Sequence, residues 1–415
     1  MQKTAHIIGA GISGLSAGVR LANAGWLVHV YEATQQLGGR CRSYFDGATG
    51  LTIDNGNHLV LSGNRSVLAY ARMIGSETGL QGPAKAEFSF VDLAADKRWK
   101  LQINDSRAPF WVFDRTRRVP DTSAADYFAL APLTWASPQK RVGDTIKCEG
   151  MLYKRLVHPL LLAALNIDPP EGSAGLAGAI VRETLLAGGQ ACRPLIARDG
   201  LSSVLIEPAV AFIRARGGSV EIGQEAREFT MDGDRVTALS LGDRSVEVGA
   251  SDAVVMAVPA RPAASLLPGL KTPTRFCAIV NAHFRFVPPA HLPPMTGVVG
   301  GLIEWLFAFP DRLSITISGG DRLVDMPREE LARAIWKDIC TVAGIEAEMP
   351  AWQIVRERRA TFEATPEQNA LRPGAVTAWK NLFLAGDWTD TGLPATIEGS
   401  VRSGNRAAGH VLNLR

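Results

Sequence analysis

"AHIIGAGISGLSAGVRLANAGWLVHVYEA", residues 5–33, lies near the start of the sequence. It reads as strand, tight turn, helix, strand and acid. Ala5–Ile8 is an apolar strand, and Gly9, Gly11 and Gly14 follow it directly as G-x-G-x-x-G. Each glycine has a physical task. Gly9 makes the turn, Gly11 lets backbone approach a pyrophosphate, and Gly14 lets the helix pack against the strand. The helix then begins at Ile12 and Ser13, where free N–H groups and a positive dipole end favour phosphate. Val28–Tyr31 forms the second strand. Glu32 closes it, 18 residues beyond Gly14, the place for a carboxylate that bonds ribose hydroxyls. All parts occur in the right order, so the stretch predicts a dinucleotide site. A carboxylate at 32 argues against a 2′-phosphate.

A second corner of the same kind lies near the other end. "LFLAGDWTDTGLPATIEGSVRSG", residues 382–404, reads as a strand, a glycine-marked turn and a helix. No second G-x-G-x-x-G accompanies it, so a separate NAD(P)H domain is not expected. Between the corners, residues 217–260 alternate in short strands joined by "DGD" and "GD" turns, a β-meander by period and turn chemistry. "AVVMAVPA" then reads as a buried parallel strand.

The bulk properties set limits. The 415 residues are too many for one ordinary core and suggest two or three units. With 46% hydrophobic and 20% charged residues, the balance is that of a soluble globular chain. The net charge of +3 carries no argument for nucleic acid, which calls for a clustered basic face. None of the five cysteines lies in a C-x-x-C pair, so neither a zinc site nor a redox dithiol is expected. No uncharged apolar run reaches the ~18 residues of a membrane span. A cytoplasmic protein with reduced thiols and no metal is the expectation.

"QLGGRCRS", residues 36–43, follows the acid and resembles the G-G-R motif of the FAD-dependent amine oxidase and phytoene desaturase superfamily. "IDNGNHLV", residues 53–60, looks like the strand-turn which that superfamily places near the flavin ring. The resemblance explains the two corners. In the superfamily the nucleotide domain is discontinuous: its first corner binds the ADP half of FAD, and its last corner returns to hold the ribityl chain, pyrophosphate and flavin. It implies an α/β fold, with a Rossmann-type FAD-binding domain built from a parallel sheet plus a β-meander. This domain would comprise residues 1–60, 196–264 and 366–415. An inserted α+β substrate-binding domain would comprise 61–195, read as apolar and helical, and 265–365. Carried over residue by residue, the FAD contacts fall on Gly9, Gly11, Ile12, Ser13, Gly14, Glu32, Gly39, Arg40, Asn57, His58, Ala226, Gly386, Asp387, Thr396 and Ile397. Glu398 and Gly399 would line the same helix start. Trp388 either packs on the ring or fills the core.

Within the superfamily, "DNGNHLVLSGNRSVLAYARMIG", "HPLLLAALNIDPPEGSA" and "GLSSVLIEPAVAFIRARGGSVEIG" resemble the hydroxysqualene dehydroxylases of bacterial hopanoid biosynthesis across essentially the whole chain. That resemblance implies reductive removal of an allylic hydroxyl from a C30 isoprenoid, with hydride from reduced flavin closing an allylic cation. Such a reaction needs an apolar tunnel, one proton donor and exclusion of water. It also needs a reductant whose identity the sequence leaves open. His58 is a candidate donor because a histidine titrates in the useful range, or else it makes a structural hydrogen bond. Asp390 is the acid of the flavin turn, as donor or as turn cap. His158 lines the tunnel or sits in the core. A carotenoid-type desaturase is the nearest alternative, with hydride moving the other way. An amine oxidase fits less well, because no matching aromatic pair is found. A water-insoluble substrate implies peripheral attachment to the inner face of the cytoplasmic membrane. "RAPFWVFDRTRRVP", residues 107–120, sets Phe110, Trp111 and Phe113 beside Arg115, Arg117 and Arg118, a lipid-interface mix or a core strand with a basic turn. Docking with neighbouring squalene-pathway enzymes is a further expectation.

Overall fold

The computed structural model describes residues 2–414. Its first unit is built on five parallel strands in the order Ser219–Glu221, Leu27–Tyr31, Thr4–Ile8, Ala253–Met256, Leu382–Leu384. Both ends of the chain therefore enter one sheet. Strands buried on both faces read as continuous apolar runs, which is why "AVVM" is buried at every position. Ala5, Ile7, Val28 and Val30 face the helices Ile12–Asn23, Glu207–Arg214 and Ile397–Leu412. Ile8, Tyr31, Val254, Met256, Leu382 and Leu384 face the expected meander, Ala226–Asp232, Arg235–Leu241 and Arg244–Glu247.

The first and last helices lie unusually close. A Cβ on Gly404 would stand 2.1 Å from Ser16 Oγ and 2.2 Å from Ser13 O, so only glycine permits the crossing. The helix Arg65–Met73 also packs into this core through Val67, Tyr70 and Ala71, followed by Ile74 and Leu80. This helix therefore packs with the first unit although it follows the boundary expected at residue 60.

The second unit is a seven-stranded sheet. Its order is Trp352–Phe362, Phe276–Phe284, Arg312–Ile317, Trp305–Phe309, Met295–Val299, Glu87–Asp92, Lys97–Gln102. The reading of 61–195 as helical is corrected by the last two strands, a hairpin joined in parallel to Met295–Val299. Helix Arg328–Ala343 covers one face around Ile335 and Ile339. The helical stretch with Leu152, Leu156, Leu161 and Leu165 covers the other, against Phe307 and Phe309. A turn of π-helix, Tyr153–Val157, precedes His158–Pro159, and another, Ser202–Ile206, precedes Glu207–Pro208. Proline supplies no N–H and its ring crowds the preceding turn, so the helix widens before it.

Trp111 is removed from the expected lipid-facing set: it is 2% exposed and stacks edge-on to Tyr127. Its neighbours Phe110 and Phe113 are exposed, as are Phe128, Trp135 and Met151 from the same helical stretch.

Candidate active site

The first corner shows why its glycines are needed. Gly9 has φ +104° and sits where a Cβ would meet Ala257 O at 2.8 Å. At Gly14 a Cβ would lie 2.0 Å from Gly9 O, so the helix can approach the turn only there. Gly11 is different: a Cβ would have nothing within 4 Å. Open space in front of backbone is what a close-approaching phosphate requires. Gly11 is also the N-cap of Ile12–Asn23, which has no side-chain cap and no acid in its first turn, leaving its N–H groups to an anion. Ile12 and Ser13 are buried behind that opening. Glu32 is buried; its Oε2 accepts from Ala10 N–H at 2.9 Å and its Oε1 from Thr34 N–H at 3.0 Å. It braces the turn at the point where a ribose would lie.

The second glycine loop closes on the first. Gly38 N–H donates to Ala10 O at 2.9 Å, and Gly39, at φ +57°, brings its Cβ position within 3.5 Å of Gly11 Cα. Arg40 then reaches the far corner: its Nη2 donates to Asp387 Oδ1 at 2.7 Å. Burial alone would lower the Arg40 pKa, but the bonded Asp387 carboxylate raises it above the ordinary value. The side chain is still 37% exposed, so it lines the cleft. Ala226 starts the meander beside Glu32, whose carbonyl accepts from Gln224 N–H at 2.8 Å.

The C-terminal corner is held from behind. Gly386 N–H donates to Ser403 Oγ at 3.0 Å, and Thr389 Oγ1 donates to Gly386 O at 2.8 Å. Arg372, missed in the sequence, bonds Asp387 O at 3.2 Å, Thr389 O, and Thr391 Oγ1 at 3.0 Å. Trp388 is core, donating to Val258 O at 2.9 Å. Thr396 is the N-cap of the last helix, accepting from Gly399 N–H at 3.0 Å, with Ile397 buried next to it. Glu398 turns away: it is buried and accepts from Ser66 and Val67 N–H, capping Arg65–Met73, with Arg402 at 3.1 Å. Its expected place on the flavin side of the helix is therefore corrected.

His58 lies between the corners and the second sheet. Its neighbour Asn57 docks there, donating to Ile315 O at 3.1 Å and Thr316 Oγ1 at 3.3 Å. The His58 ring makes no hydrogen bond among the described residues, yet neither nitrogen is sealed from the cleft. Burial, and then the Arg40 charge, push its pKa down to about 4. It is neutral at physiological pH, so the imidazolium donor expected from the sequence is not the resting state. Of its two readings, donor or turn cap, Asp390 takes the second. It is exposed, its Oδ1 accepts from Gly392 N–H at 3.2 Å, and Arg406 holds its carbonyl from outside. It caps a surface turn.

The residues fit a flavin dinucleotide: two glycine loops front open space, an uncapped helix start faces it, and a cation spans both corners. Among the described residues no cluster of three or more His, Cys, Asp or Glu could hold a metal. The pattern of flavin-containing amine oxidoreductases matches residues 12–412. The chain belongs to that family. It is a flavin-dependent oxidoreductase.

This amine oxidoreductase family member has relatives of its own length. One from Rhodopseudomonas palustris, named hydroxysqualene dehydroxylase, is 68% identical over 413 residues, 99% of each chain. Another of that name, from Zymomonas mobilis, is 46% identical over 97% of each chain. Cyclohexylamine oxidase from Brevibacterium oxydans superposes with a TM-score of 0.73 over 99% of each chain, at 18% identity. That last likeness is one of fold alone.

Proposed function

We propose that this chain reductively removes the hydroxyl of hydroxysqualene to give squalene, with FAD as the flavin. The observation that carries the reading is the 68% identity, over 99% of both chains, to a protein bearing that activity in its name. The site's chemistry supports it. The helix start at Gly11 and Ile12 would take the pyrophosphate, Glu32 the adenosine ribose, and Arg40 with Asp387 the middle of the cofactor. When bound and reduced, the flavin supplies a hydride. The chain's own residues position the dinucleotide, keep water out and hold the lipid. The second unit suits a C30 hydrocarbon in composition, because the core between its sheet and the helical stretch is built largely from leucines, phenylalanines and tryptophans.

The substrate is insoluble in water, so its source is a membrane. Among the described residues no helix is long and apolar enough to span one. Phe110, Phe113, Phe128 and Trp135 are more than half exposed on the helical stretch, with Arg107 and Arg115 nearby in sequence. Aromatic and basic residues together suit peripheral contact with an anionic bilayer.

The test is an anaerobic single turnover. The holoenzyme is reduced and mixed with hydroxysqualene. Return of the oxidised flavin spectrum with an equal amount of squalene is expected. If reduced enzyme leaves hydroxysqualene untouched while oxidised enzyme is bleached by squalene or phytoene, hydride runs the other way and the chain is a desaturase.

A further inference from the structure

A cavity of about 360 Å³ lies where helix His158–Leu165 crosses the ends of strands Met295–Val299 and Arg312–Ile317. Pro159, Leu162, Val298, Val299 and Ile303 give it apolar walls. The Glu304 carboxyl stands among them, and Asp168 is the other acid of the lining. Glu304 Oε2 accepts from Ser318 N–H at 2.9 Å, and the Ser318 side chain bonds the carboxyl as well. The cavity belongs with the site by topology. Thr316, which receives Asn57 beside His58, and Ser318, which binds Glu304, are two residues apart on one extended segment. That is about 7 Å at the rise of a strand.

The charged neighbours are Lys154 and His158 on the overlying helix, Asp168 beyond it, and Arg322 below. Lys154 is turned toward Asp92 at 3.9 Å, and His158 toward Asp168 at 3.9 Å. Arg322 donates to Gly319 O. Asp338, from the helix behind, is engaged by Leu302 and Ile303 N–H. None of these forms an ion pair with Glu304. Burial therefore dominates, and it pushes the Glu304 pKa up to about 7, against the opposing Ser318 bonds and the Arg322 charge.

Resting on the substrate reading above, we propose that Glu304 is the proton donor to the substrate hydroxyl, bound in the cavity beneath helix His158–Leu165. The balance closes. The C–O bond breaks with both electrons on oxygen, and the oxygen leaves as water with the Glu304 proton. The carbon takes up the hydride of the proposed reaction, and Glu304 regains a proton from solvent. A neutral carboxyl fits this task where a neutral imidazole at His58 does not.

Two measurements on the holoenzyme test it. The first is single-turnover squalene formation across neutral pH in wild type and Glu304→Gln. Wild type loses rate as pH rises past about 7. The variant is slower by roughly 100-fold or more, and its residual rate lacks that alkaline fall. A Glu304→Gln protein with wild-type rate and the same fall overturns the assignment. The second is independent of turnover: quenching of tryptophan fluorescence by farnesol, an allylic alcohol, and by squalene, which has no hydroxyl. Glu304→Leu binds farnesol about tenfold more weakly and squalene unchanged. Equal farnesol affinity in wild type and Glu304→Leu also overturns the proposal. If farnesol binding depends on Glu304 but wild type makes no squalene from hydroxysqualene, the substrate reading fails and the hydroxyl site stands.

Discussion

Arg40 and Asp387, 347 positions apart, meet at 2.7 Å and tie the first glycine loop to the last turn. The contact joins the two corners that a long dinucleotide would span. Each group also has a second anchor, Ala360 O for Arg40 and, through its backbone, Arg372 for Asp387. Asp387→Asn keeps the shape and removes the charge. Flavin retention is expected to fall by about ten- to a hundredfold, the worth of a charge-assisted hydrogen bond. The ratio of flavin to protein absorbance after gel filtration reads it, and full retention would falsify the bridging role.

Gly11 and Gly14 share a motif but should fail differently. Alanine at 14 drives its Cβ to 2.0 Å from Gly9 O, so Gly14→Ala lowers the melting temperature even without flavin. Alanine at 11 meets nothing within 4 Å. Gly11→Ala should melt like wild type as apoprotein and bind flavin at least about tenfold more weakly, because the methyl fills the space for phosphate. Equal apoprotein melting of the two variants would contradict this division.

Glu398 should matter for stability rather than for cofactor. It is 4% exposed and caps the helix Arg65–Met73. Glu398→Ala leaves two N–H groups without a partner, while Arg402 keeps its pair with Glu183, at a cost of about 1–3 kcal/mol. Denaturant melts report the loss. A wild-type midpoint combined with weak flavin binding would return Glu398 to the cofactor side.

Acid should destabilise the protein through buried histidines. His6 is held down at about 4 by burial, with the Asp252 charge opposing, and His283 at about 3 by burial and then Arg312. Both are neutral, folded and unfolded, above the ordinary value of about 6.5, so their contribution is complete there. Below it the unfolded chain gains protons that the folded one refuses. Stability is then lost from about pH 6.5 down to about 4 for His6 and about 3 for His283, on the order of 3 and 5 kcal/mol respectively at full development. The His6→Phe protein should lose stability less steeply over that window. Parallel pH curves for the two proteins would rule this out.

The nucleotide half was legible because its chemistry is local. Gly9, Gly11, Gly14 and Glu32 act within one strand-turn-helix-strand unit, so spacing alone located them. The 382–404 corner was legible through a resemblance, which carried more than its spacing did. What sequence missed is non-local. Arg372 is an arginine in a loop until the fold brings Asp387 and Thr391 to it. Glu398 points to a helix more than 300 positions earlier, and a period-3.6 argument cannot say which neighbour a helix face meets. Asp390 misled because a turn sets adjacent residues on opposite sides: Asp387 faces Arg40, while Asp390 faces solvent. The hairpin Glu87–Gln102 joins a sheet whose other strands begin near residue 276, a pairing that no local pattern announces.

Peripheral membrane contact yields the last prediction. Phe110 is 67% exposed and Phe113 62%, flanking the buried Trp111. This arrangement is a short helix with its anchor inside and two rings outside. Water penalises such rings, and an interface would not. A Phe110→Ser, Phe113→Ser double variant should keep its fold, because neither ring is part of the core, and should float with anionic liposomes at least about tenfold less well. High salt should weaken the wild type further if Arg107 and Arg115 contribute. Undiminished flotation of the double variant would move the contact to Phe128, Trp135 and Met151, the other exposed residues of that stretch, or away from this face altogether.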